Sequence, residues 1–561
     1  MLRGFLELTN MFIILTVIST IIQVVLTHSI NYLSIIPWII YSVIYIIYKY
    51  RNREYHFPEI SKLPNTELAS LIAYIVGVWI IFLGLYKYPI FPMSFSGDFL
   101  IYPTKAVKLA SHSELSDLYV SHPTAYTILS VCISISPYSP LITMRIFSFV
   151  IAAIIPISIF YISRSLFGEH GGVISIVTYV LISIFWFYVI FTTGIFANFI
   201  AILTCLYIII LIIEYREYPT KSNIIKIYLA SLVALTLHQT TIILIASLLL
   251  VAIYDALLFR TEKLLICLLS TLLAVVSLLL FLPTDIRLIV DFITKYLLRL
   301  KMKPIPVITV VREDRLSQFL ESISPFLRDL YLYVGISSIF LLIIALIIGL
   351  FGIATYDDGC KTLPWMWIIA TWILSYFISD IWRLAIYTTI PLSIYIGNSY
   401  RFIYLPFKSW LESVIIPHKI QIGYKALLIT IVIILILIGS NLSMVIRDFS
   451  YGVRAERLKQ QTIYNSFTWI SENTEKDAVL ISIGKWEYEF LPLFINRKYL
   501  GDYLFTPNEA YNVLKEFNNS YVVVNRLLRT ENFSYLALYV NDSRFISVYS
   551  DEYVTIFKLT S

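Results

Sequence analysis

Asp98 closes the run Ser96-Gly97-Asp98 just after an apolar segment, so its carboxylate stands where hydrocarbon gives way to water. A carboxylate there can take the proton of an attacking hydroxyl as a general base. The same residue can also cap the amphipathic run that follows, since Asp is a preferred helix N-cap. Three cations lie in comparable surroundings: Arg383 in a short turn beside Asp380, and Lys105 with Lys108 one helical turn apart. A guanidinium binds a phosphate through two parallel hydrogen bonds; the alternatives are a snorkelling anchor for Arg383 and a solvated helix face for the lysines. His122 and His238 (followed by Gln239) offer proton transfer or ligation as well as plain hydrogen bonding. Asn198 follows the polar turn Thr192-Thr193-Gly194, and His112 with Glu114 or Asp117 is the one grouping a divalent metal could use, although its spacing matches no closed metal site.

These residues must be positioned by a membrane protein. The chain has 561 residues, 58% hydrophobic, 16% aromatic and only 14% charged, with mean hydropathy +0.80. Soluble domains carry roughly 25% charged residues, so a multidomain cytosolic enzyme and a disordered chain are both excluded. The four cysteines stand far apart without CxxC spacing, and no metal or redox role is expected of them. Arg3 and Glu7 precede an apolar run too long for a signal peptide and without a cleavage site, which reads as a retained anchor.

A span needs about 20 apolar residues. Such stretches occur at 11–30, 32–49, 67–90, 140–163, 171–191, 195–213, 224–237, 240–258, 263–282, 331–353, 363–379, 382–398 and 424–445, giving about 13 transmembrane helices. The stretch 124–136 is too short to cross and is expected to lie in or dip into the interface. With the N-terminus cytoplasmic, the inside loops hold Lys49, Arg51, Arg53 and Lys62, then Arg164, then Arg216, Lys221 and Lys226, then Arg260 and Lys263, then Lys361, and finally Arg401, Lys408, Lys419 and Lys425. The short outside turns hold Arg383 alone. That asymmetry is the positive-inside pattern, and counting 124–136 as a span would reverse it.

The expected organisation is thus an N-terminal transmembrane hairpin and cytoplasmic loop (1–66), a transmembrane core (67–445) with external loops 91–139 and 283–330, and an extracytoplasmic tail (446–561). In the tail, strand-like runs at 478–483 and 521–524 alternate with a helix opened by Thr506-Pro507-Asn508-Glu509, so a small α/β domain is expected. N-x-S/T sequons begin at Asn441, Asn518, Asn532 and Asn541, which agrees with an external tail. Loop 283–330 carries Lys295, Arg299, Lys301 and Lys303 among apolar neighbours, a basic amphipathic helix for the membrane surface. All the polar residues singled out fall on the external side, without the mid-membrane repeat a two-sided transporter would need.

Taken in order, Ser96-Gly97-Asp98, the Tyr102–Ala110 run, Ser121-His122-Pro123-Thr124, Met144-Arg145 and Tyr161-Ile162-Ser163-Arg164-Ser165-Leu166-Phe167-Gly168 resemble the GT-C superfamily of membrane glycosyltransferases. Protein O-mannosyltransferases and bacterial aminoarabinose transferases are the nearest in style. The resemblance covers roughly 67–445. It implies an enzyme of the cell membrane that moves a monosaccharide from a polyprenyl-phosphate donor to a glycan, lipid or protein acceptor of the cell envelope. No nucleic acid is involved and no cofactor is certain, a divalent metal being the open alternative. Asp98 is then the base, with Arg383, Lys105 and Lys108 on the donor phosphate. His122, His238, Gln239, Asn198, Glu114 and Asp117 are the remaining substrate-binding candidates. The chain departs from the family pattern at Phe99, where many relatives carry a second acid, and at Asn198, where O-mannosyltransferases place an Asp. The tail lacks the Trp-Trp-Asp signature of oligosaccharyltransferases. A non-enzymatic transporter or scaffold with an external binding site is the rival reading.

Overall fold

The computed structural model describes chiefly residues 2–27, 32–51, 98–111, 123–179, 196–237, 241–258, 262–281, 359–375, 381–399, 465–483, 497–525 and 531–560. The expected spans at 67–90 and 424–445, and most of loop 283–330, lie outside them. The helices are α1 (Leu2–Thr27), α2 (Ile36–Arg51), α3 (Asp98–Ser111), α4 (Pro123–Ile135), α5 (Pro140–Phe167), α6 (169–179), α7 (Phe196–Glu217), α8 (Lys221–Leu237), α9 (Thr241–Leu258), α10 (Lys263–Phe281), α11 (Leu363–Ser375) and α12 (Ile381–Ile396). Among the described residues three stretches are long and apolar enough to cross a membrane, Arg3–Gln23, Ile142–Phe167 and Ala197–Glu217. They place the chain in a membrane. Exposed Ile39, Ile40, Val43, Ile44 and Ile47 on α2, and Leu265, Leu269 and Leu273 on α10, are the lipid-facing side chains such a bundle requires.

The helices alternate in direction, and side-chain contacts identify their ends. Arg3 near the start of α1 pairs with Glu214 near the end of α7, and Tyr161 near the end of α5 lies close to Glu214. Lys263 at the start of α10 donates to the Arg216 carbonyl (2.7 Å). Basic residues 164, 216, 226 and 263 therefore gather at one end of the bundle, although the sequence scatters them over three loops.

Two features close that end. The first is ionic. Glu7, 1% exposed, accepts hydrogen bonds from Arg3 of its own helix (2.7 Å), Tyr41 of α2 (2.5 Å), Tyr207 of α7 (2.6 Å) and Lys226 of α8 (2.5 Å). Arg3 spans Glu7 and Glu214, so two cations and two carboxylates balance inside the bundle. The second is steric. Gly168, at φ +83°, ends α5 in the left-handed conformation that glycine adopts freely. Ser163 then bridges the carbonyls of Gly171 (2.9 Å) and, on α12, Ile394 (3.2 Å). A Cβ on Gly397 would fall on the Ser163 hydroxyl, 2.7 Å from the Gly171 carbonyl and 2.9 Å from that of Ile394. Because two of these obstacles are backbone, Gly397→Ala is expected to destabilise the folded protein by about 3 kcal/mol, at the upper end of ordinary overpacking costs. Thermal unfolding in detergent checks this, and Ser163→Ala should restore little of the loss.

The tail forms a five-stranded mixed sheet, β1 (Val479–Ile483), β2 (Lys498–Tyr503), β3 (Ser520–Asn525), β4 (Phe545–Ser550) and β5 (Val554–Leu559), ordered β2-β1-β3-β5-β4. β1 is parallel to β2 and β3, while β5 is antiparallel to β3 and β4. Alternation along β3 sends Tyr521 and Val523 to a face shared with Phe467 and Ile470 of helix α13 (465–473). Val522 and Val524 face Ala510 and Leu514 of α14 (Pro507–Leu514) and Tyr539 of α15 (Glu531–Val540). Thr506, as expected, starts α14: its backbone N–H donates to the Glu509 carboxylate (2.8 Å), with Pro507 next in line.

On the sheet, Glu475 accepts from Lys558 (2.8 Å) and Tyr521 (2.7 Å), and these bonds hold its carboxyl down to about 2 against the opposing pull of burial. A depressed folded-state value contributes stability that is present above the ordinary value of 4.5 and is lost as pH falls from there to about 2. Both side chains are more than a third exposed, so the contribution is about 0.5–1 kcal/mol. Stability measured across that window should fall more steeply in wild type than in Lys558→Met.

Candidate functional site

α4 explains how the end opposite the ionic network is built. Its 13 residues reach about 20 Å, short of a hydrocarbon core of about 30 Å. Yet Ala125, Tyr126, Ile128, Leu129 and Val131 are all buried. α4 packs on α1, α5 and α8, and on the 3-10 turn Tyr32–Ile35 that joins the end of α1 to α2. Most of it is thus packed inside the bundle near the α1–α2 turn, which is compatible with the short helix dipping into the interface that the sequence suggested. Its backbone bonds are satisfied within the helix, and among its described side chains only the last, Ser134 and Ile135, are exposed.

α3 rests on this platform and also touches α5 and α7. Asp98 is its first residue, and Tyr102 and Lys105 follow at i+4 and i+7, so all three positions share one helical face. Buried Tyr102 lies against Tyr126 of α4, ring centroids 4.9 Å apart. The Lys105 ammonium sits 5.0 Å above the same Tyr126 ring. This cation–π contact holds a half-buried positive charge two turns along the helix from Asp98. The tyrosine partners were not singled out in the sequence; the i, i+3 spacing of Tyr102 and Lys105 is the signal that could have found them.

α7 brings Asn198 to the same end. It is the third residue of the helix, 2% exposed, and its Oδ1 has no hydrogen-bond partner among the described residues. An unmet acceptor at that depth is costly. Since α7 and α12 both finish at the ionic end, both begin here, and Arg383 is the third residue of α12. Leu237 and Thr241 flank His238 and Gln239, and Thr241 accepts from Cys205, midway along α7 (4.0 Å). The backbone thus carries Asp98, Lys105, Lys108, Asn198 and Arg383 to one half of the bundle. The side chains of Asp98, Lys108 and Arg383, and the whole of His112, Glu114, Asp117, His122, His238 and Gln239, lie outside the described residues. Among the described residues no three His, Cys, Asp or Glu side chains converge as for a metal ion. The four cysteines are free and buried.

No family model matches the chain, and no curated protein sequence matches it significantly. Solved structures do match in shape. ArnT from Cupriavidus metallidurans, in a structure bound to undecaprenyl phosphate, aligns with 87% of this chain and 97% of its own, at TM-score 0.55 and 11% identity. The archaeal oligosaccharyltransferase AglB from Archaeoglobus fulgidus aligns with 84% of this chain and 71% of its own, at TM-score 0.48 and 14% identity. The likeness to ArnT runs almost the full length of that protein, and the resemblance to GT-C membrane glycosyltransferases read from the sequence is a shared fold.

Proposed function

We propose that this chain is an integral membrane glycosyltransferase that moves a monosaccharide from a polyprenyl-phosphate donor to an acceptor hydroxyl on the extracytoplasmic face. In this reading it has about thirteen spans, a cytoplasmic N-terminus and an extracytoplasmic tail, so the end holding α3 and α4 faces outward. The observation that carries it is the short helix α3, opened by Asp98 and seated on the buried, non-spanning α4. An enclosed platform of this kind keeps a carboxylate at the membrane boundary, where a lipid-borne phosphate and a water-borne acceptor meet.

Asp98 takes the acceptor proton as the hydroxyl oxygen bonds to the sugar C1, and the C1–O bond to phosphate breaks with its electrons leaving on the phosphate. Lys105, Lys108 and Arg383 stabilise that departing charge. His122, His238, Gln239, Asn198, Glu114 and Asp117 line the approach of donor and acceptor; for Asn198 the support is its unmet acceptor oxygen. A divalent metal, if bound, would assist the phosphate through Glu114, Asp117 and the neighbouring histidine His112.

The test is transfer of radiolabelled sugar from polyprenyl phosphate by the purified, lipid-reconstituted protein to a panel of glycan, lipid and peptide hydroxyls. Label is expected in one acceptor class. Binding of the lipid-sugar without turnover would favour the transporter or scaffold, and absence of binding would overturn the reading altogether.

A further inference from the structure

Three sequons fall within the folded tail, and their surroundings differ. At Asn518-Asn519-Ser520 the serine is buried, and its hydroxyl already bonds the carbonyls of Leu514 and Phe517 (3.0 Å each). The amide of Asn518 is exposed, but the second recognition group of that sequon is spent inside the fold. Asn532 sits in the first turn of α15, where helical backbone bonds oppose the extended shape that an acceptor strand must take. Asn541-Asp542-Ser543 occupies the turn between α15 and β4, with both Asn541 and Ser543 exposed. Its backbone bonds are Asn541 N–H to Ala537 (3.2 Å), Asp542 N–H to Tyr539 (3.3 Å) and Phe545 N–H to the Asp542 carbonyl (3.0 Å), so the carbonyl of Asn541 and the N–H of Ser543 carry none of them. It is an exposed tip between a helix and a strand, the kind of place where a chain tolerates additions.

We propose that Asn541 is a glycan attachment site: the tail of this membrane protein is itself an acceptor for a polyprenyl-linked oligosaccharide. The step needs a separate oligosaccharyltransferase. The Asn541 Nδ2 bonds to C1 of the first sugar as the C1–O bond to the lipid phosphate breaks with its electrons leaving on the phosphate. The proton from Nδ2 passes to a carboxylate of that enzyme. Asp542 does not obstruct this exchange, because its carboxylate is turned to Arg544, bonding the guanidinium at 2.9 and 2.5 Å and the Arg544 N–H at 3.0 Å. The exposed Val540 beside Asn541 is one apolar side chain that the glycan would shield from water.

The proposal rests on the extracytoplasmic placement of the tail, and the experiment separates the two. The full-length protein is produced in a host whose membranes carry N-glycosylation machinery. Asn541→Cys is probed with a membrane-impermeant maleimide on intact cells, against a low background because all four native cysteines are buried. In parallel, electron-transfer fragmentation of the tryptic segment 530–544 assigns any glycan to Asn532 or Asn541. The expected result is external labelling of Asn541→Cys and a glycan on Asn541. The accompanying gel shift should be abolished by Asn541→Gln and by Ser543→Ala, and retained by Asn518→Gln and Asn532→Gln. External labelling with no glycan on Asn541, or with glycan on Asn518 or Asn532 instead, overturns the site while leaving the topology standing. Labelling only after permeabilisation overturns the topology and the site together.

Discussion

Asp98→Asn is expected to lower the rate of sugar transfer by about 10²–10⁴-fold, the usual contribution of a positioned general base, while leaving the melting temperature unchanged. The pairing of readouts matters more than either alone. Asn ranks with Asp as a helix N-cap, so a residue that merely starts α3 would tolerate the exchange in both assays. A base would not, because the amide cannot accept the hydroxyl proton. KM for the lipid-sugar should stay within a few-fold of wild type, since Asp98 acts on the acceptor in this scheme. Initial rates at saturating donor, with thermal unfolding of the same preparation, decide the matter; undiminished transfer in the variant removes Asp98 from the chemistry.

The second large effect is expected far from that end. Glu7→Ala strips the shared acceptor from Arg3, Tyr41, Tyr207 and Lys226. Half-buried Lys226 is left without its counter-ion, and the expected cost is about 3 kcal/mol, the lower end for breaking a buried pair from one side. The loss should appear as a drop in melting temperature in nanodiscs and a fall in recovered folded protein. Removing both charges together, in Glu7→Gln with Lys226→Met, should recover most of it, because a matched apolar replacement of a buried pair is often neutral. If the double variant is as unstable as the sum of its parts, the four helices are held by packing and the network is incidental.

Much of the helical frame was legible from apolar run length. The run 263–282 became α10 (Lys263–Phe281), and 195–213 became α7, which continues to Glu217. That extension, like the start of α1 at Leu2 rather than Met11, was hidden for one reason. Arg3, Glu7 and Glu214 look like boundary charges along the chain, whereas in three dimensions they neutralise one another. Hydropathy counts each charge alone and has no term for a partner some two hundred residues away. In the tail the strands at 478–483 and 521–524 followed from their β-branched runs, but the order β2-β1-β3-β5-β4 joins segments far apart in sequence and leaves no local trace. The site divides in the same way. Asp98 and Lys105 announced themselves by type and spacing, yet the Tyr126 ring beneath Lys105 belongs to α4 and emerges only once that short helix is folded into the bundle.

The ionic network also sets an order of events during synthesis. α1 is made first, carrying Arg3 and Glu7, but Glu214 lies 211 residues further on and Lys226 lies 219 beyond Glu7. Until α7 and α8 leave the ribosome, Glu7 has only Arg3 and Tyr41 to satisfy it. The set of donors around Glu7 is therefore complete only once the eighth helix has been made. A chain ending between Glu214 and Lys226 would set two carboxylates against one cation at this site, whereas one ending before Glu214 would keep the balanced Arg3–Glu7 pair within the first helix.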